Sequence, residues 1–235
     1  MRRRVPRSGI ATAVSLLAAF SILLASCSSG TPKIRGQNVK LLLVEGETGV
    51  FSERLSVFTL YDDDDGPADF ANMTITHEDS ELSWTVDSRL AEVRSRGKDR
   101  WVGSASLAGP QGARVPVGRY ALTVADLAGN ESTQEFEVGS VEFPARSPCS
   151  FSVSGETWTI ERNSGAGSFR HLWILLYDRE GKLVNTWKVP ESGNRTIAGF
   201  VKTLQAVAST AVVARCYCEN DSGKAGVLLT PVDMR

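Results

Sequence analysis

The chain has 235 residues, a formal net charge of -1, 42% hydrophobic residues and 8% aromatic ones. That apolar fraction supports a packed core and excludes a disordered chain, while the near-neutral balance, with no basic tract beyond the first few residues, excludes nucleic acid as an expected partner. Arg2, Arg3, Arg4 and Arg7 open the chain and are followed by an uncharged run from Ile10 to Leu24. A positive start, a short apolar middle and a small-residue end have the layout of an export signal. The run is too short for a spanning helix, which needs about 20 apolar residues, and no later stretch is long enough either.

The apolar run ends in Leu24-Ala25-Ser26-Cys27. These four residues resemble the lipobox of bacterial lipoproteins, in which a peptidase cuts before the cysteine and its sulfur carries a diacylglycerol. The resemblance implies a signal peptide over residues 1–26, lipidation of Cys27, and an extracytoplasmic chain from there on, held to a membrane of the cell envelope by acyl chains. Two or more chains are needed for stable anchoring. Position 28 is Ser28 rather than the aspartate that resembles an inner-membrane retention signal, which points to the outer membrane in a cell that has one. Residues 27–38 are rich in Ser, Gly, Thr, Pro, Lys and Gln without periodicity, and are expected to be a flexible tether.

Beyond the tether the pattern is β. Val39 to Val44 and Leu55 to Tyr61 are expected strands, the second ending in the turn Asp62-Asp63-Asp64-Asp65-Gly66-Pro67. Met73 to His77, Leu82 to Val86, Trp101 to Leu107, Tyr120 to Ala125 and Glu135 to Val138 follow, with Ser88 to Arg94 the one helix-like piece. Short strands divided by turn signals every 8–12 residues or so argue for an antiparallel sandwich. Pro144 and Pro148 mark a break, so a boundary is placed near Ser140, giving one domain over residues 39–139 and another over 140–235. In the second, strands are expected at Ser150–Val153, Thr157–Glu161, His171–Tyr177, Leu183–Val189, Ile197–Thr203, Ala211–Cys218 and Gly226–Thr230, with a short helical turn as the alternative for Phe200 to Val207. Met73 to Val86 and Trp173 to Val189 share a strand–turn–strand pattern with a tryptophan in the second strand, as a tandem duplication would produce.

Gly118-Arg119-Tyr120-Ala121-Leu122-Thr123-Val124-Ala125-Asp126-Leu127-Ala128-Gly129-Asn130 alternates apolar and small or polar residues into a turn. It is similar to the terminal hairpin of bacterial immunoglobulin-like domains, and implies two tandem sandwiches of that class. Cys216-Tyr217-Cys218-Glu219-Asn220-Asp221-Ser222-Gly223 resembles the end of the immunoglobulin strand F, with Cys218 at the cysteine position. The usual partner is missing from Thr157–Glu161, and Cys149 lies one strand earlier. A bridge is expected from Cys149 to Cys218 or Cys216, in that order of preference, with one thiol left over. Three cysteines without a nearby histidine make a poor zinc site.

Asp62, Asp63, Asp64, Asp65 and Asp69 form one dense acidic loop, and Asp126 and Asn130 lie in the last hairpin loop of the first domain. The two loops emerge at one end of an immunoglobulin-like sandwich, so these seven residues are a candidate calcium site, and no other cofactor is expected. Catalytic signatures are lacking: His77-Glu78 has no second histidine at zincin spacing, and no nucleophile elbow, P-loop or CxxC occurs. Trp84, Trp101, Trp158, Trp173 and Trp187 are expected in the cores, Trp173 above all, on the third strand of its sandwich. The expected function is non-enzymatic: an interaction, adhesion or assembly module meeting an envelope or host protein. A carbohydrate-binding accessory protein using exposed tryptophans, or a structural spacer, is the alternative.

Overall fold

The computed structural model describes residues 30–235. Cys27 and the leader lie outside the described residues. The described residues form sixteen strands: β1 (Lys33–Glu45), β2 (Phe51–Asp62), β3 (Phe70–His77), β4 (Ser83–Asp87), β5 (Glu92–Arg96), β6 (Asp99–Ala108), β7 (Gly118–Asp126), β8 (Glu131–Val138), β9 (Cys149–Ser154), β10 (Thr157–Arg162), β11 (His171–Tyr177), β12 (Leu183–Lys188), β13 (Thr196–Phe200), β14 (Val213–Glu219), β15 (Ala225–Leu228) and β16 (Val232–Asp233). A short α-helix among the described residues, α1 (Val201–Val207), joins β13 to β14.

A four-stranded sheet in the order β4-β3-β7-β8 faces β1-β2-β6-β5, and a three-stranded sheet in the order β13-β10-β9 faces β12-β11-β14-β15. The two facing halves belong to one nine-stranded sheet, because β1 pairs in parallel with β15, Leu41 to Val44 against Ala225 to Leu228. In strand order each half is the arrangement of an immunoglobulin-like sandwich. The first also carries the tyrosine corner of that fold: Tyr120, fully buried on β7, donates its hydroxyl to the Pro116 carbonyl at 2.6 Å.

Period-two alternation builds both cores. Leu55, Val57, Met73, Ile75, Tyr120, Leu122 and Val124 pack in the first, and Trp158, Ile160, Leu172, Ile174, Leu176 and Val227 in the second. Strand β1 serves both through one face: Leu41 lies in the first core and Leu43 packs against the second. Val141 and Phe143, in the segment between the sandwiches, touch both cores as well. Leu42 and Phe58 are buried on the opposite face of the long sheet, outside either core, with the Arg94 guanidinium 3.7 Å above the Phe58 ring.

Four expectations are corrected. Lys33 to Asn38, expected in the tether over residues 27–38, are strand instead: β1 starts at Lys33 and pairs with β2 from Lys33↔Asp62 onward. The apolar pattern hides this: the first half of the strand is polar and gains its order from backbone pairing. Ser88 to Arg94 is no helix. Asp87 Oδ1 accepts from the Arg89 and Leu90 amides in a tight turn and β5 follows, with Leu90 72% exposed and thus no apolar stripe to bury. Ile197–Thr203 is not one strand: β13 ends at Phe200 and α1 takes over, burying Val201 and Leu204 one helical turn apart. Trp173 is not in the core. On β11 the alternation buries Leu172, Ile174 and Leu176 and turns Trp173 to the outer face, while Trp158 on β10 fills the second core against Gly199, where an added Cβ would lie 2.5 Å from its ring.

Candidate functional site

Cys149 opens β9, and Cys216 and Cys218 stand two apart on β14, so both point to one face. Docking of the short sheet onto the long one brings the three sulfurs together. Cys149 Sγ lies 3.0 Å from Cys218 Sγ and 3.6 Å from Cys216 Sγ, and all three sulfurs are within 4.8 Å of one another. The residues are 1%, 0% and 0% exposed and are free thiols in this structure. Hydrogen bonds from the Cys216 and Cys218 thiols pull the Cys149 thiol down to about 5 against the cost of burial, while the contact with Cys149, and then burial, push Cys216 and Cys218 up. Arg162, opposite Cys149 on β10, adds its positive charge nearby and donates through Nη1 to the Arg170 carbonyl at 3.3 Å.

The second cluster lies at the far end of the first sandwich. Of the seven residues proposed for calcium, Asp63, Asp69 and Asp126 converge to within 4.8 Å. Asp63 accepts from the Tyr61 hydroxyl at 2.8 Å and from the Asp65 amide at 2.9 Å, and Asp126 accepts from the Asn130 amide and its Nδ2 at 2.8 and 2.7 Å. Asp69 Oδ2 is closed off from solvent and has no hydrogen-bond partner. Asp62 and Asp64 turn away from the cluster to Arg35 at 2.5 Å and Lys33 at 3.5 Å. Desolvation, then the negative charges of Asp126 and Asp63, raise the Asp69 carboxyl above its ordinary range. Burial opposes ionisation of Asp126 too, but the Asn130 donors outweigh it and hold that carboxyl low. Three carboxylates supply part of the six to eight oxygens that calcium takes.

Two hollows also mark the surface of the described residues. A groove of about 720 Å³ runs along the seam between the sandwiches, lined by Val39, Leu41, Phe143, Phe169, Asn220 and Lys224 among others. No motif announces it, because its walls come from the connecting segment and from loops distant in sequence. A smaller hollow of about 280 Å³ on the outer face of the long sheet holds His171, Trp173, Lys188 and Asp221, with Lys188 Nζ 5.7 Å from the centre of the Trp173 ring. His77, the other histidine, is buried in the first sandwich: Nε2 donates to the Val117 carbonyl at 3.1 Å, which leaves Nδ1 to accept from Ser80.

No protein-family model matches the chain, and no curated protein matches it either. Among solved structures, similar chains include dimeric latent PorU from Porphyromonas gingivalis, at 15% identity and a TM-score of 0.32, covering 87% of this chain and 20% of that one. Murine CEACAM1b is similar at 10% identity and a TM-score of 0.25, covering 85% of this chain and 99% of that one. The chain thus spans 20% of the length of the first. Scores this low carry no argument, and the fold assignment rests on strand order and on the Tyr120 corner.

Proposed function

We propose that this chain is a lipid-anchored, extracytoplasmic interaction module of the bacterial envelope, with no catalytic role of its own. What supports the reading most is the shortness of the connection between Cys27 and the first strand. Five residues separate Cys27 from Lys33, six Cα-to-Cα steps with a reach of about 20 Å when fully extended. A lipid on Cys27 holds the acidic end of the first sandwich beside the bilayer, where Asn130 Nδ2 already touches the Gly30 carbonyl at 3.3 Å. The second sandwich joins through Leu41 to Val44, further along β1, so it and the seam groove project outward. There an envelope or host protein meets them.

The test compares the native protein with a Cys27→Ala variant by intact mass and detergent partitioning. Acyl mass on a wild type that enters the detergent phase, with the variant unprocessed, is the expected result; unmodified protein in the aqueous phase overturns the anchor. A photocrosslinking residue at Glu142 in the groove is then expected to capture one envelope protein that the same residue at Asp99 does not. Equal capture from both positions overturns the groove. The outward Trp173 ring favours a second reading, carbohydrate binding. A glycan array on wild type and Trp173→Ala separates the two, since only that reading expects a hit that the variant loses.

A further inference from the structure

We propose that Cys149 and Cys218 form a disulfide between β9 and β14, and that Cys216 remains a reduced thiol buried beside it. Three observations choose this state over the alternatives. Cys218 is the nearer partner, its sulfur 3.0 Å from that of Cys149 against 3.6 Å for Cys216. The cluster sits in the second core among Ile174, Leu172 and Val227. Three thiolates around Zn(II) or Cu(I) leave a net negative charge there, whereas a disulfide plus a thiol is neutral. Arg162, opposite Cys149 on β10, donates through Nη1 to the Arg170 carbonyl while its buried Nε has no partner, so no guanidinium hydrogen bond reaches a sulfur. Finally, the sulfurs form a compact triangle. With all three within 4.8 Å, the Cys216–Cys149–Cys218 angle is no wider than about a right angle. Exchange requires a thiolate in line with the bond that it breaks, so Cys216 cannot displace Cys218 without β14 moving.

The step balances against a disulfide-bearing oxidant, R–S–S–R. A thiolate of the pair attacks one sulfur of the oxidant and releases R–S⁻. The second thiolate then attacks that mixed disulfide and releases the other R–S⁻, so two electrons pass to the oxidant and the two thiol protons end on two R–SH. Since the docked sulfurs are at most 1% exposed, both attacks take place before β9 docks, and reductant reaches the finished bridge only after β9 leaves. Formation in the cell needs the oxidant of an extracytoplasmic compartment and in that respect rests on the export reading. The experiment below supplies the oxidant, so the two can fail separately.

The full chain is refolded in oxidised glutathione, alkylated in denaturant, and mapped by fragmentation after chymotryptic cleavage, with Tyr217 separating Cys216 from Cys218. The expected product is a Cys149–Cys218 link, two hydrogens lighter than the reduced form, with Cys216 alkylated only in denaturant. Dithiothreitol leaves the link intact in the native protein and cuts it in denaturant. The reduced protein melts lower by about 10 °C, and Cys216→Ala keeps that difference. A Cys149–Cys216 link, a mixture of links, a link to Cys27, alkylation of Cys149, Cys216 and Cys218 alike after oxidation, or zinc or copper retained at one ion per chain each overturns the proposal.

Discussion

Gly103 marks a point where two backbones meet too closely for any side chain. A Cβ there would lie 2.1 Å from the Val57 carbonyl oxygen and 2.7 Å from Phe58 Cα, both backbone atoms of the neighbouring strand. Gly103→Ala is expected to cost about 3 kcal/mol, read as a drop in the denaturant midpoint, whereas Gly139→Ala, with open space at its Cβ, is expected to be near neutral. Tyr120→Phe removes the hydroxyl by which the fully buried Tyr120 satisfies the half-buried Pro116 carbonyl and should cost about 1–2 kcal/mol in the same measurement. Asp69 points the other way. Its carboxyl is raised in the folded state, first by desolvation and then by Asp126 and Asp63, so the folded protein holds that proton more tightly than the unfolded chain does. Its stabilising effect is therefore present at low pH and is lost as pH rises through the folded value. Asp69→Asn is expected to melt higher than wild type at neutral pH in chelator, with the difference closing below about pH 3.

At the scale of elements, β1 is the strand on which the molecule turns. It pairs with β2 over most of its length and with β15 over Leu41 to Val44, and its Leu43 packs against the second core although it lies in the first hundred residues. Leu43→Ala is expected to cost about 1–2 kcal/mol, since the side chain is only partly buried. Hydrogen exchange should show the effect in β14 and β15 more than in β3 and β7; uniform loosening of the first sandwich would contradict the assignment. Sequence pattern placed most strands here because alternation reports burial directly. It missed the start of β1, where Lys33 to Asn38 carry little apolar signal and are held by main-chain bonds to β2. It also read Ser88 to Arg94 as helical, where the Asp87 turn directs the chain into β5.

For the whole molecule, the continuous sheet couples the two sandwiches. Glu45 accepts from the Thr230 amide and hydroxyl at 3.1 and 3.2 Å, Lys40 pairs with Glu219, and Val141 and Phe143 touch both cores. A chain joined in this way should unfold in one calorimetric transition, with calorimetric and van't Hoff enthalpies in agreement. Residues 140–235 expressed alone leave β15 as an open edge and should melt below the full chain. Two separate transitions, matching the isolated piece, would show that the shared sheet adds no coupling.

What the sequence determined by itself is the β class, the placement of most strands, and the residue types at each cluster, because period-two burial and turn chemistry are local properties. It also brought Cys149, Cys216 and Cys218 together as candidates, since two cysteines two apart on a strand must share a face. What only the tertiary structure decided is non-local. Which sheet each strand joins, the parallel union of β1 with β15, and the distances among the three sulfurs depend on how two sheets dock. The same holds for the acidic loops, whose residues read alike in sequence. Packing selected Asp63, Asp69 and Asp126 for one end of the sandwich and left Asp62 and Asp64 to Arg35 and Lys33, because the first residues of β1 bring those two bases to the rim.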